Sequence, residues 1–168
     1  DIMMSNTLLE SVVKKNRARL IPFMLALYVL AFLDRSNIGF AKETYQLDTG
    51  LSNEAYALGA GIFFVVYAFL GVPANLLMRK FGARRWIGCT TLLWGVLSAA
   101  MAWADTEAKF LLVRTLLGAA EAGFFPGMIY LTSQWFPQQN RASIMGLFYM
   151  GAPLALTLGS PLSGALLE

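Results

Sequence analysis

Residues 20–35 read LIPFMLALYVLAFLDR, and this run decides the fold class. Its purely apolar part, Leu20 to Leu33, is 14 residues long. At about 1.5 Å of rise per residue it covers about 21 Å, short of the roughly 30 Å hydrocarbon core of a bilayer. A helix that crosses must therefore run on through Asp34 and Arg35, which predicts a first span over 20–41. A carboxylate and a guanidinium then lie within the membrane. Each ionised group near the bilayer centre costs about 3 kcal/mol on insertion scales, so such groups face a polar cavity or pair with one another, and they mark ion or substrate paths.

Four more apolar runs follow, predicting spans over 57–78, 86–104, 110–132 and 142–167. The expected fold is an all-α, polytopic membrane protein. Composition agrees: the 168 residues are 57% hydrophobic and 14% charged, against about 25% charged in a soluble domain. The net charge of +3 is small and sits between the apolar runs, so it speaks of topology rather than of nucleic acid. Cys89 is the only cysteine and there is no histidine. An intrachain disulfide is excluded, and no metal site or cofactor is expected. The same lack argues against a membrane-embedded enzyme. The first run has no small-residue cleavage site and four runs follow it, so no cleaved signal peptide is expected. The chain opens Asp1-Ile2-Met3-Met4 and stops at Glu168 directly after an apolar run. It reads as part of a longer chain with a natural start at Met3 or Met4.

Loop charges predict orientation. Lys14, Lys15, Arg17 and Arg19 precede span one; Arg79, Lys80, Arg84 and Arg85 separate spans two and three; Arg141 follows span four. The alternate loops hold Lys42 and Lys109 among Glu43, Asp48, Glu54, Asp105 and Glu107. The positive-inside rule places residues 1–19, 79–85 and 133–141 in the cytoplasm and Glu168 on the opposite side. Residues 8–19 read as a short amphipathic surface helix or as a plain tail. Span five is dense in small residues, with Gly146, Gly151, Ala155, Gly159 and Gly164 beside Pro153 and Pro161. Tight helix packing explains them, and a bending, gating helix is the sharper reading.

Arg114 and Glu121 lie seven residues apart in span four. At about 100° per residue they return to nearly the same face, about 10 Å apart along the axis. Asp34 and Arg35 diverge by about 100°, so at least one of them is expected to find its partner on another helix. Spans one and four open two successive three-helix units, and charges at corresponding places in two repeats are what a site between repeats shows. The competing reading is a salt-bridge network that only holds helices together. It is weakened because a buried ion pair seldom stabilises more than apolar packing does. Tyr67 sits mid-span in span two, where a tyrosine needs a hydrogen-bond partner. Asn37 and Asn75 are weaker candidates.

The runs YVLAFLDRSNIGFA (residues 28–41) and RTLLGAAEAGFFPG (residues 114–127) resemble the anion:cation symporter family of the major facilitator superfamily. So do Pro73-Ala-Asn75, Phe81-Gly-Ala-Arg84-Arg85 and the segment from Trp135-Phe-Pro137 to Arg141-Ala142. The resemblance runs from about Lys14 to Leu167. It implies twelve helices in two six-helix halves, of which this chain is most of the first, with the site at the midplane between them. It implies uptake of a sugar-acid anion such as L-rhamnonate together with protons, across a bacterial inner membrane. Relatives carry galactonate, glucarate and tartrate. It implies that Arg35 holds the substrate carboxylate, that Asp34 and Glu121 take up protons, that Arg114 interacts with the acidic partner, and that Tyr67 lines the cavity. The implied partners are a small organic anion, protons, the lipid bilayer and the remaining half of the transporter.

One departure stands out. The superfamily pattern in the loop between spans two and three carries an aspartate; aligned on Gly82, it falls at Arg79, with Asn75 where a glycine is usual. The basic cluster Arg79, Arg84, Arg85 is kept, while the aspartate on which the conformational latch is built is not.

The four membrane charges sum to zero. A bound monoanion leaves one negative charge in low dielectric, and protonating one carboxylate removes it, which couples the two binding events positively. Arginine suits the anion because its fork engages both carboxylate oxygens. The alternatives are an exchanger of another organic anion or a phosphorylated or drug-like solute, and an inert truncated product without transport of its own.

Overall fold

The computed structural model describes residues 2–167; the expected placement of Glu168 lies outside them. Among these residues the chain is almost wholly helical, as its pattern predicts. The helices are α1 (Ile2–Phe40), α2 (Lys42–Thr49), α3 (Asn53–Phe81), α4 (Ala83–Ala100), α5 (Glu107–Glu121), α6 (Phe124–Trp135), α7 (Gln138–Tyr149) and α8 (Gly151–Leu167), with a 3-10 turn at Met101–Trp103. Five stretches are long and apolar enough to cross a membrane: Thr7–Phe40, Asn53–Phe81, Ala83–Trp103, Glu107–Trp135 and Gln138–Leu162. Asn53–Phe81 and Glu107–Trp135 contain the spans predicted at 57–78 and 110–132, while the other three overlap theirs and end at residues 40, 103 and 162 rather than 41, 104 and 167. Residues 2–19 form neither a separate surface helix nor a tail; they extend α1 without a break.

Local chemistry sets the boundaries. The Ser52 side chain caps α3 by accepting from the Ala55 amide at 3.1 Å, and Thr106 caps α5 through the Lys109 amide. Gly50 closes α2 in the left-handed region at φ 70°, and Gly82 turns α3 into α4 at φ 84°; both positions strain a residue with a Cβ. Spans four and five are each interrupted, which the hydropathy pattern hides. A proline inside a helix lacks an N–H and clashes with the carbonyl four residues earlier. For Pro126 that residue is Ala122, in the two-residue break between α5 and α6; for Pro153 it is Tyr149, where α7 ends.

Span four is the centre of the bundle. Its most hydrophobic window is 61% buried, against 11% for that of span three. The α3 helix packs along α5, α8 packs along α1, and α4 packs on α5 and α6. Span two thus lies on span four as span five lies on span one, the reciprocal arrangement expected of two repeated units. Small residues permit the close approaches. A Cβ on Gly118 would sit 2.5 Å from the Phe63 carbonyl oxygen, and one on Gly151 2.6 Å from the Tyr28 ring. In span five Gly151 and Gly159 both abut α1, so these two serve packing. The outer faces carry large apolar side chains such as Phe69, Leu92 and Val96, a surface suited to hydrocarbon and not to water.

Candidate functional site

The four charged residues converge. The α1 helix delivers Asp34 and Arg35, and α5, the most enclosed helix, delivers Arg114 and Glu121. Arg114 and Glu121 are buried, with 2% and 1% exposure. Arg35 Nε donates to Glu121 Oε2 at 2.8 Å, the ion pair that ties α1 to α5. Asp34 Oδ1 accepts from the Ser98 hydroxyl of α4. Asp34 and Arg35 therefore both find partners on other helices. Arg114 and Glu121 share a helix, yet they do not pair: Arg114 Nε donates to the Gly59 carbonyl of α3 at 3.2 Å. Arg114 still lies within electrostatic range of both Asp34 and Glu121. The charge pattern is thus cross-helix, because an i,i+7 pair stands about 10 Å apart along the axis.

Two carboxylate oxygens are left over. Asp34 Oδ2 and Glu121 Oε1 are buried with no hydrogen-bond partner among the described residues. The two carboxyl groups face each other closely enough for a hydrogen bond once one is protonated. Buried acceptors are normally satisfied, and a single proton between these two would serve both.

Aromatic rings complete the cluster. The Arg35 guanidinium carbon stands 4.6 Å from the Tyr67 ring centroid and 5.7 Å from each of the Phe32 and Phe63 rings. The Arg114 guanidinium carbon lies 4.4 Å from the Phe63 centroid. Phe63 is fully buried and stacks on Tyr67 with centroids 6.1 Å apart. It is a platform for both arginines, held there by cation–π attraction in a dry setting. Arg35 opens into a cavity of about 190 Å³ lined by Tyr28, Ala31, Phe32, Tyr67, Phe124 and Phe125. Its side chain keeps 20% exposure, so part of the fork remains available to a ligand. Asn37 does not line this cavity; it lies on the Asp34 side of α1.

Residues 24–168 match the Major Facilitator Superfamily. The chain belongs to this superfamily. It is 92% identical over 165 residues to the inner membrane transport protein RhmT of Escherichia coli (strain K12), which covers 98% of this chain and 38% of that protein. It is 48% identical over 168 residues to a protein of Agrobacterium vitis named for tartrate transport, covering 100% of this chain and 37% of that protein. The chain thus spans under two-fifths of the length of these curated relatives. Its fold matches a bacterial homologue of the human lysosomal transporter Spinster in an inward-facing, occupied conformation, with a TM-score of 0.83 at 22% identity over 89% of this chain and 32% of that one. These relatives are named as transporters.

Two contributors escaped the reading of the sequence. Phe63 looks like one more apolar residue of span two; its place four residues before Tyr67, on the same helical face, was the available signal. Ser98 is a small polar residue in an apolar span, ordinary as a packing contact. In the loop between spans two and three, the Arg79 guanidinium carbon stands 5.9 Å from the Tyr130 ring centroid in α6. Arg84 lines an apolar groove beside Trp135, and Gly82 supplies the turn between them.

Proposed function

We propose that this chain is most of the first six-helix half of a proton-coupled symporter. The symporter takes up a sugar-acid monoanion across a bacterial inner membrane, with the N-terminus in the cytoplasm and L-rhamnonate as the first candidate substrate. In this reading Arg35 holds the substrate carboxylate and Tyr67 walls the cavity. Glu121 and Asp34 carry the proton, and Arg114 balances the carboxylates. Sugar hydroxyls are met by the half that follows in the longer relatives.

The observation that carries the reading is the Arg35–Glu121 ion pair beside two orphaned carboxylate oxygens. An incoming carboxylate competes with Glu121 for the same fork. Once displaced, Glu121 is a buried carboxylate in low dielectric that has lost its paired guanidinium, and protonation relieves it. Anion binding and proton uptake therefore favour each other, with the coupling stored in one ion pair. The resemblance to sugar-acid symporters, and the names of the relatives, supply the substrate class. The basic loops at residues 79–85 and before Leu20 supply the orientation.

The test uses the complete transporter, this chain continued by the remainder its relatives carry, in proteoliposomes. Labelled L-rhamnonate should accumulate when the outside is acid, and an uncoupler should abolish the accumulation. Accumulation that ignores the pH gradient would overturn the symport. A carrier that accumulates tartrate or galactonate but not L-rhamnonate would move the substrate within the sugar acids.

A further inference from the structure

Two of the cavities at the charged cluster share no lining residue. One is the cavity at Arg35. The other, of about 220 Å³, lies within the bundle between α1, α3, α4 and α5 under the short helix α2. At its deep end are Asp34 and Arg114; at its other end are Ala41 and Ala102. These last two sit where spans one and three end, beside the loops at residues 42–54 and 103–106. We propose that this second cavity is the route by which protons reach Asp34 from the outer face of the membrane, separate from the cavity in which Arg35 meets the anion. The proposal rests on the proton-coupled reading above and deepens it.

Its dimensions and lining fit water. Asp34 is seven residues from Ala41 along α1, about 10 Å of helix. The volume accommodates several water molecules at about 30 Å³ each. Asn37 and Ser98 supply polar walls along the way. The Ser98 hydroxyl donates to Asp34 Oδ1 and leaves Oδ2 as a buried acceptor with no donor among the described residues. Its roof is built. Tyr45 of α2 donates to the Ala104 carbonyl at 2.5 Å, and Tyr56 donates to the Ile38 carbonyl. Tyr45, Tyr56 and Phe110 pack with centroids 5.3–6.3 Å apart. Burial pushes the Tyr45 phenol above its ordinary value, so it stays a donor at physiological pH.

Facing Asp34 are Arg114 and Glu121 from α5, with Arg35 turned to the other side of α1, while Tyr56 of α3 and Tyr45 of α2 line the cavity above it. The α4 helix presents Ser98, and α8 has no ionisable residue. From Asp34 a proton has only to cross to the facing Glu121 carboxyl to reach the substrate side. A larger groove of about 540 Å³ also touches Asp34 and shares Asn37 and Ser98 with this cavity, but Leu27, Leu30, Leu33, Trp94 and Leu162 make up much of its wall. It suits hydrocarbon or another helix, not a proton-conducting water file.

The test plugs this cavity and leaves the other open. In the complete transporter, with native cysteines replaced by serine, Ala102→Cys and, on the opposite wall, Ala41→Cys are each modified from outside with a bulky impermeant methanethiosulfonate in right-side-out vesicles. Glu107→Cys, exposed on the same face but outside the cavity, is the control. Modification at either wall should abolish accumulation driven by the pH gradient while substrate counterflow, which needs no net proton movement, persists. The control should lose neither. Accumulation that survives full modification of both walls would overturn the route, as would equal loss of counterflow or loss at Glu107→Cys. If the unmodified carrier shows no pH-driven accumulation, the symport reading itself falls, and the route with it.

Discussion

At the scale of single residues, Arg35 is the pivot, because it is the one member of the cluster that is both ion-paired and partly open to a cavity. Its fork can engage an incoming carboxylate at two points, and lysine cannot. Losing one charge-assisted hydrogen bond costs about 1.5–3 kcal/mol, or roughly 10- to 100-fold in affinity. Arg35→Lys in the complete transporter should therefore cut uptake at limiting substrate by about that factor, with protein inserted at the normal level. Normal uptake would remove Arg35 from the site, and loss of the folded protein would favour a purely structural network. Phe63→Leu is the complementary case. It keeps an apolar side chain and removes the ring under both arginines, so it should weaken substrate binding while the fold survives. The four charges were legible in the sequence because a charge in an apolar run is conspicuous. Their pairing was not, since spacing along one helix says which face a side chain occupies and not which neighbour it meets. Arg35 meets Glu121, 86 residues away.

Among the elements, the decisive contact is α3 on α5. Gly118 lies on α5 between Arg114 and Glu121 and lets the α3 backbone approach at Phe63. A Cβ there meets a carbonyl oxygen that cannot rotate away. Gly118→Ala should cost about 1–3 kcal/mol of overpacking, which outweighs the gain of about 1 kcal/mol that alanine has over glycine in a helix. Gly146→Ala meets nothing within 4 Å and should be neutral or stabilising. Thermal unfolding of the purified carrier in detergent separates the two, and equal melting temperatures would refute the packing argument. Hydropathy predicted where the spans lie, since lipid-facing helices must be long and apolar. It did not show the breaks after Glu121 and Tyr149, because the prolines that make them act four residues upstream, on the carbonyls of Ala122 and Tyr149.

For the whole molecule, α1, α3 and α6 line the cavity at Arg35, and more than three-fifths of the length of the 92% identical relative lies outside the part this chain matches. Alternating access needs one half to move against the other. The 168 residues expressed alone in cells lacking the carrier should give no uptake above background, and saturable uptake by them would point to a small oligomeric transporter instead. Orientation is checked in intact cells with an impermeant thiol reagent. Asp48→Cys should label and Arg84→Cys should not; the opposite pattern would invert the bundle. The central claim is that anion and proton are coupled through Glu121, and its most direct measurement is on Glu121→Gln in the complete transporter. Glutamine resembles the protonated carboxyl and cannot release a proton. In proteoliposomes this variant should still exchange labelled substrate in counterflow, and an imposed pH gradient should no longer drive accumulation. A Glu121→Gln carrier that still accumulates substrate on a pH gradient would contradict the account and pass the coupling role to Asp34.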